Sequence, residues 1–145
     1  MLLLLIVLAG LLGFLGPRER TVRTEGGGYG LEVTHGSVIR SGQPVPLEIT
    51  VQPPSAFTGP VEIKLDGDVF ESFDFQNWYP NPDTETRSEG ELSYEFAPPD
   101  TGPLTVHLDA RVSPGLGLGP ESHWVALAVD GVEVARVDFR MWVAP

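Results

Sequence analysis

The strongest constraint on the fold is the dipeptide Asp130-Gly131, set between two runs of apolar-rich sequence at 124–129 and 132–143. Asp-Gly suits the positive φ angles of a two-residue type I′ turn, so the two runs are predicted to pair as an antiparallel hairpin. In the simple register Val129 faces Val132 and Leu127 faces Val134. Val125, Leu127, Val129, Val132 and Val134 then share one side of the ribbon. Beyond Ala135 the apolar phase shifts to Val137, Phe139, Met141 and Val143. A β-bulge near Ala135 would return this second set to the same core, and that is the expectation. The alternative is a hairpin covered on both faces.

A lone hairpin is barely stable in water, and the preceding sequence offers it several partners. Tyr29, Leu31 and Val33 alternate with polar neighbours, as do Val45, Leu47, Ile49 and Val51. The pattern recurs at Val61, Ile63 and Leu65, at Leu92, Tyr94 and Phe96, and at Leu104, Val106, Leu108, Ala110 and Val112. Ser41-Gly42, Pro53-Pro54, Gly59-Pro60, Pro98-Pro99-Asp100 and the stretch 115–120 separate these runs as turns. A chain of 145 residues is enough for one domain with a real core. An all-β sandwich of about seven or eight strands is the consequence, covering residues 29–145 behind a linker at 17–28.

Residues 1–16 are almost continuously apolar and are closed by Pro17. As a helix they would span about 24 Å, short of a full hydrocarbon core but within reach of a thinned one. Without an Ala-x-Ala site, an uncleaved membrane anchor is expected ahead of a cleaved signal segment. Arg18, Arg20 and Arg23 directly after the run favour a cytoplasmic domain by the positive-inside rule. The layout of an apolar leader before a β domain favours the extracytoplasmic side, which is the reading adopted.

The net charge of −11 argues against nucleic acid, since phosphate binding needs clustered bases and the nine here are dispersed. With no cysteine there is no disulfide, thiolate nucleophile or Cys-based zinc site. From Glu62 to Glu95 ten acids stand against Lys64 and Arg87, a local net of −8. Aromatic residues are interleaved with these acids.

The segments Arg40-Ser-Gly-Gln-Pro-Val-Pro-Leu-Glu-Ile-Thr-Val and Tyr94-Glu-Phe-Ala-Pro-Pro-Asp-Thr-Gly-Pro-Leu-Thr-Val-His-Leu resemble strands and turns of immunoglobulin-like modules on bacterial surface proteins. The whole layout is similar to uncharacterised small membrane-anchored proteins of high-GC bacteria. The resemblance implies an immunoglobulin-like β-sandwich in the cell envelope and no particular chemistry.

The expected function is therefore non-enzymatic: an extracytoplasmic domain, anchored in the bilayer through residues 1–16, that binds an envelope or integral membrane protein. Phe73, Phe75, Trp78 and Tyr79 are the candidate partner-binding residues, with Trp78 and Tyr79 expected to be the most exposed. The competing expectation is that the phenylalanines fill the open end of the sandwich while the acids face water. A carbohydrate or cell-wall module using the same aromatics is the alternative, and a hydrolase with an acid pair ranks lower. Asp66, Asp68, Glu71 and Asp74 carry oxygen ligands of the kind calcium takes, but lack the EF-hand spacing. No metal or cofactor is assigned. His35, His107 and His123 are far apart in sequence and no nucleophile elbow is present, so no catalytic residue is assigned either.

Overall fold

The computed structural model describes residues 1–12 and 18–145, with the side chains of Phe75 and Gln76 outside the described set. Helix α1 (Leu2–Leu11) precedes strands β1 (Arg18–Gly26), β2 (Tyr29–Arg40), β3 (Pro44–Gln52) and β4 (Val61–Asp66). A single helical turn, α2 (Val69–Ser72), leads into β5 (Phe73–Tyr79). The chain then continues through β6 (Thr84–Ser88), β7 (Glu91–Phe96), β8 (Leu104–Val112), β9 (Gly119–Val129) and β10 (Val132–Ala144). The fold is all-β, with ten strands among the described residues rather than the expected seven or eight.

The strand order is β5-β8-β3-β2-β10-β9-β4-β7-β6, with β1 paired to β2 off this path. All neighbours are antiparallel except β2 and β10, which meet in parallel only at Val38–Trp142, Ile39–Val143 and Arg40–Ala144. This short seam lets the sheet curl. The curl is evident where Trp78 of β5 packs 5.0 Å from Tyr94 of β7, although six strands separate β5 from β7 in the sheet order. Apolar side chains from both arms merge in one core, with Leu31, Ile49 and Val106 from one arm and Ile63, Tyr94, Val125 and Met141 from the other.

Period-two burial accounts for most of this core. Along β8 every odd position of the strand, from Leu104 to Val112, is buried, while the residues between are half-buried or exposed. The terminal hairpin turns at Asp130 (φ 51°) and Gly131 (φ 77°), as expected. Its register shifts between Glu133, opposite Ala128, and Ala135, opposite Leu127. Val134 is the extra residue of a bulge, and from Ala135 onward alternate side chains enter the core: Val137, Phe139, Met141 and Val143 are all buried. The bulge leaves Val132 outside, with 63% of its surface exposed, so Val132 does not join Val125 and Leu127.

The linker expected at 17–28 is corrected over 18–26, which form β1. Val22 is the strand's only large apolar side chain, so no hydrophobic alternation announces it. Polar cross-strand contacts hold it instead: Arg23 pairs with Glu32 at 2.7 Å and Thr21 Oγ1 meets Thr34 Oγ1 at 2.9 Å. Gly27 and Gly28 turn with φ of 58° and 82°. At Gly26 the backbone passes so close to β10 that an added Cβ would overlap the Val134 carbonyl oxygen.

Helix α1 has no buried residue. At about 1.5 Å per residue its ten residues cover about 15 Å. Among the described residues no helix is long and apolar enough to cross a membrane.

Candidate functional site

Strand β4 ends at Asp66, and α2 carries the chain from there to β5, on the other arm of the sheet. Where this crossover passes β9, three polar side chains meet inside the core. His123 Nδ1 lies 2.9 Å from Asp66 Oδ2, and His123 Nε2 lies 3.1 Å from Ser72 Oγ. Asp66, Ser72 and His123 are all buried.

The backbone explains their convergence. His123 is on the inward phase of β9 with Val125 and Leu127, and β9 pairs with β4 through Leu65–Val125. Asp66 is held in place by accepting hydrogen bonds from the Asp68 N–H (2.8 Å) and the Trp124 N–H (3.3 Å). In the tautomer whose Nδ1–H donates to this carboxylate, Nε2 faces the Ser72 hydroxyl as an acceptor. Ser72 in turn is fixed by its carbonyl, which accepts from the Ser113 N–H at 2.9 Å.

Ser72, His123 and Asp66 thus share the hydrogen-bond connectivity of an acyl-transfer triad. Two features oppose nucleophilic attack in this conformation. Ser72 is 2% exposed, which leaves a substrate carbonyl no route to Oγ. The Ser72 hydroxyl also lies 3.5 Å from Glu121 Oε2 as a donor, so its single proton is contested between that carboxylate and His123 Nε2. The arrangement instead satisfies three buried polar groups at once and fastens the β4–β5 crossover to β9.

A second buried histidine lies nearby. His35 Nδ1 donates to the Gly36 carbonyl at 2.9 Å, and its ring lies tilted 4.7 Å from that of Phe139, which also neighbours His123 at 5.9 Å. His35 Nε2 has no hydrogen-bond partner among the described residues. Burial holds the His35 pKa below its ordinary value, opposed by the Gly36 bond and reinforced by the charge of Arg20.

The expected partner-binding residues do not form one surface. Phe73 is buried, with its ring 6.0 Å from that of His123. Trp78, expected to be exposed, is buried because the curl places Tyr94 and Phe96 against it at 5.0 and 5.9 Å. Tyr79 is 70% exposed. Phe75 lies outside the described residues as far as its side chain is concerned. Asp66, considered as a calcium ligand, has both carboxylate oxygens engaged by His123, Trp124 and Asp68. His107 is solvent-facing and contacts Glu48 at 3.2 Å.

The Asp66–Ser72–His123 cluster leaves no signature in spacing along the chain, since its members are brought together only by strand pairing and the crossover. The available signal was phase. His123 continues the inward series of Val125 and Leu127, and His35 continues that of Leu31 and Val33.

No family model matches the chain, and no curated protein matches it. Among solved structures, the bacterial hydrophobin BslA is similar at 12% identity and a TM-score of 0.45, over 87% of this chain and 98% of its own. AvmM, which catalyzes macrocyclization in alchivemycin A biosynthesis, aligns at 13% identity and a TM-score of 0.41, over 89% of this chain and 90% of its own. A CARDB domain from Pyrococcus furiosus, solved with di-metal ions, aligns at 9% identity and a TM-score of 0.39, over 88% of this chain and 89% of its own.

Proposed function

We propose that this protein is a non-enzymatic, membrane-anchored extracytoplasmic domain of immunoglobulin-like β-sandwich architecture that binds another envelope protein, as an accessory to an integral membrane protein. The observation that carries this reading is the exposure of α1. Leu2, Leu3, Leu4, Leu5, Ile6, Val7, Leu8 and Leu11 all face outward, each at least 49% exposed. Moving such side chains out of water is favourable by about 1.5–3 kcal/mol apiece, so the helix as a whole gains on the order of 10 kcal/mol from an apolar environment. In sequence the apolar run continues through Phe14 and Leu15.

The closed state of the Asp66–Ser72–His123 cluster supports a binding role over a hydrolytic one. Partner contact is assigned to the edge strand β5 at Tyr79, the exposed member of the expected aromatic set. An exposed tyrosine brings a large rigid surface and a polar tip at small entropic cost.

Gentle detergent extraction of the full-length protein from its native membrane, with identification of the proteins that co-purify in fixed ratio, tests the reading. The expected result is a stoichiometric integral membrane protein whose recovery falls when Tyr79 is replaced by Ala. Recovery of the chain alone, or in the soluble fraction without detergent, would overturn it.

A further inference from the structure

The outer face of β9 and β10 carries a second aromatic and charged cluster, away from the edge strand that holds Tyr79. In the antiparallel register Trp124 lies opposite Asp138, Ser122 opposite Arg140, and Pro120 opposite Trp142. A depression of about 480 Å³ opens here, lined by Ser122, His123, Trp124, Asp138, Phe139 and Arg140. Trp142, 54% exposed, stands at one end. From the Asp138–Trp124 pair to the Trp142–Pro120 pair is four residues along β10, about 13 Å.

The two arginines of this face differ. Arg136 lies over the Trp124 ring at 3.9 Å and is bound through both Nε and Nη2 to Glu133 at 3.2 and 2.7 Å, so its charge is already engaged. Arg140 is exposed and forms no ion pair among the described residues. The depression thus offers an unengaged guanidinium, a carboxylate acceptor at Asp138 and a hydroxyl at Ser122, with the exposed indole of Trp142 beyond one end.

We propose that this face binds a carboxylated saccharide of about two rings. An exposed indole at Trp142 matches the C–H face of a pyranose. Asp138 and Ser122 supply the acceptor and the donor-acceptor that vicinal hydroxyls need, and Arg140 recognises the carboxylate through its planar fork. An acidic peptide fits less well, because Asp138 and the net charge of −11 repel a chain of successive acids more strongly than the single carboxylate of such a sugar. The length of the depression suits a disaccharide.

Calorimetric titration of the full chain in polyoxyethylene detergent micelles tests this, using N-acetylglucosaminyl-N-acetylmuramic acid and its neutral counterpart diacetylchitobiose. The carboxylated sugar is expected to bind about tenfold or more tightly than the neutral one, the value of one charge-assisted hydrogen-bond pair. Arg140→Ala should abolish that preference, and Trp142→Ala should weaken binding of both sugars by about tenfold, the scale of a lost stacking contact. Both side chains point outward, so the thermal transition of each variant should match the parent. Equal affinity for the two sugars, binding unchanged in both variants, no binding of either sugar, or displacement of bound sugar by a glutamate-rich peptide would each overturn the assignment. Loss of the membrane-protein partner without loss of sugar binding would separate this inference from the function proposed above.

Discussion

His123 and Asp66 are joined by a 2.9 Å hydrogen bond from Nδ1 to Oδ2, inside a core built mainly from aliphatic and aromatic side chains. The bond spans 57 residues of sequence and connects the end of β4 to β9 beside the crossover that carries Ser72. The energetic weight of such a buried polar pair lies mainly in the penalty for removing one partner. The group left behind remains desolvated and loses its hydrogen bond.

Asp66→Asn is accordingly expected to destabilise the fold by about 2–4 kcal/mol, because an amide cannot accept from His123, Trp124 and Asp68 together. Ser72→Ala should cost about 1–3 kcal/mol by leaving Nε2 without a partner. Urea unfolding measures both, and an Asp66→Asn effect below about 0.5 kcal/mol would remove the cluster from the account of stability. The same samples treated with a fluorophosphonate probe should show no labelling of Ser72. Labelling that depends on His123 would mean that the cluster opens and acts as a nucleophile.

His35 predicts a specific acid sensitivity. Its folded pKa lies below the ordinary value of 6.5, chiefly through burial. The unfolded chain therefore takes up this proton first as pH falls. The stability contribution is fully present above pH 6.5 and is lost as pH drops from there toward the folded value. His35→Leu should flatten the stability profile in this window. It should also be tolerated near neutral pH, since it removes an imidazole nitrogen that has no partner among the described residues. Unfolding free energies at a series of pH values decide the matter, and an unchanged slope in the variant would contradict the assignment.

Tyr94 gives the opposite signature at high pH. Burial pushes its phenol up to about 12, against a smaller opposing effect of its hydrogen bond with Trp78. Folding favours the neutral phenol. That stability is complete below pH 10 and is lost as pH rises from 10 to about 12. Ultraviolet titration of the folded protein should show a phenolate step near pH 12 that is absent in Tyr94→Phe. A variant with an unaltered titration would assign the step elsewhere.

Gly26 is where β1 and β2 meet β10, and Gly26→Ala should be destabilising by about 1–3 kcal/mol or more. The new methyl would have to displace the backbone at Val134, and overpacking against main chain relaxes poorly. Gly117→Ala is the matched control, because an added Cβ there meets nothing within 4 Å. Comparable thermal shifts in the two variants would show that the close approach at Gly26 carries no energetic weight.

The legible parts of the fold were those in which local chemistry and burial agree. The Asp130-Gly131 turn follows from the positive φ that this dipeptide accepts, and the bulge beside Ala135 and the five alternating runs follow from period-two patterning. β5 and β6 were missed. The five residues of β6, Thr84–Ser88, are all exposed, and β5 mixes aromatic with polar residues without clean alternation, so neither carries a half-buried pattern. β1 escaped for the same reason: its pairing with β2 rests on polar cross-strand contacts, which leave no hydrophobic period.

The candidate sites divide along the same line. Sequence alone determined the all-β class, the inward phase of Leu31, Ile49, Val106 and Met141, and the apolar character of residues 1–12, because each depends on a side chain and its immediate neighbours. Only the tertiary structure decided that Trp78 is covered while Tyr79 is not, and that Asp66, Ser72 and His123 touch. Those outcomes depend on how far the sheet curls and on which strands the curl brings face to face. Curvature accumulates from strand twist, the short parallel seam between β2 and β10 and the register shifts in β1, β5 and β10, and no local window of sequence contains that sum.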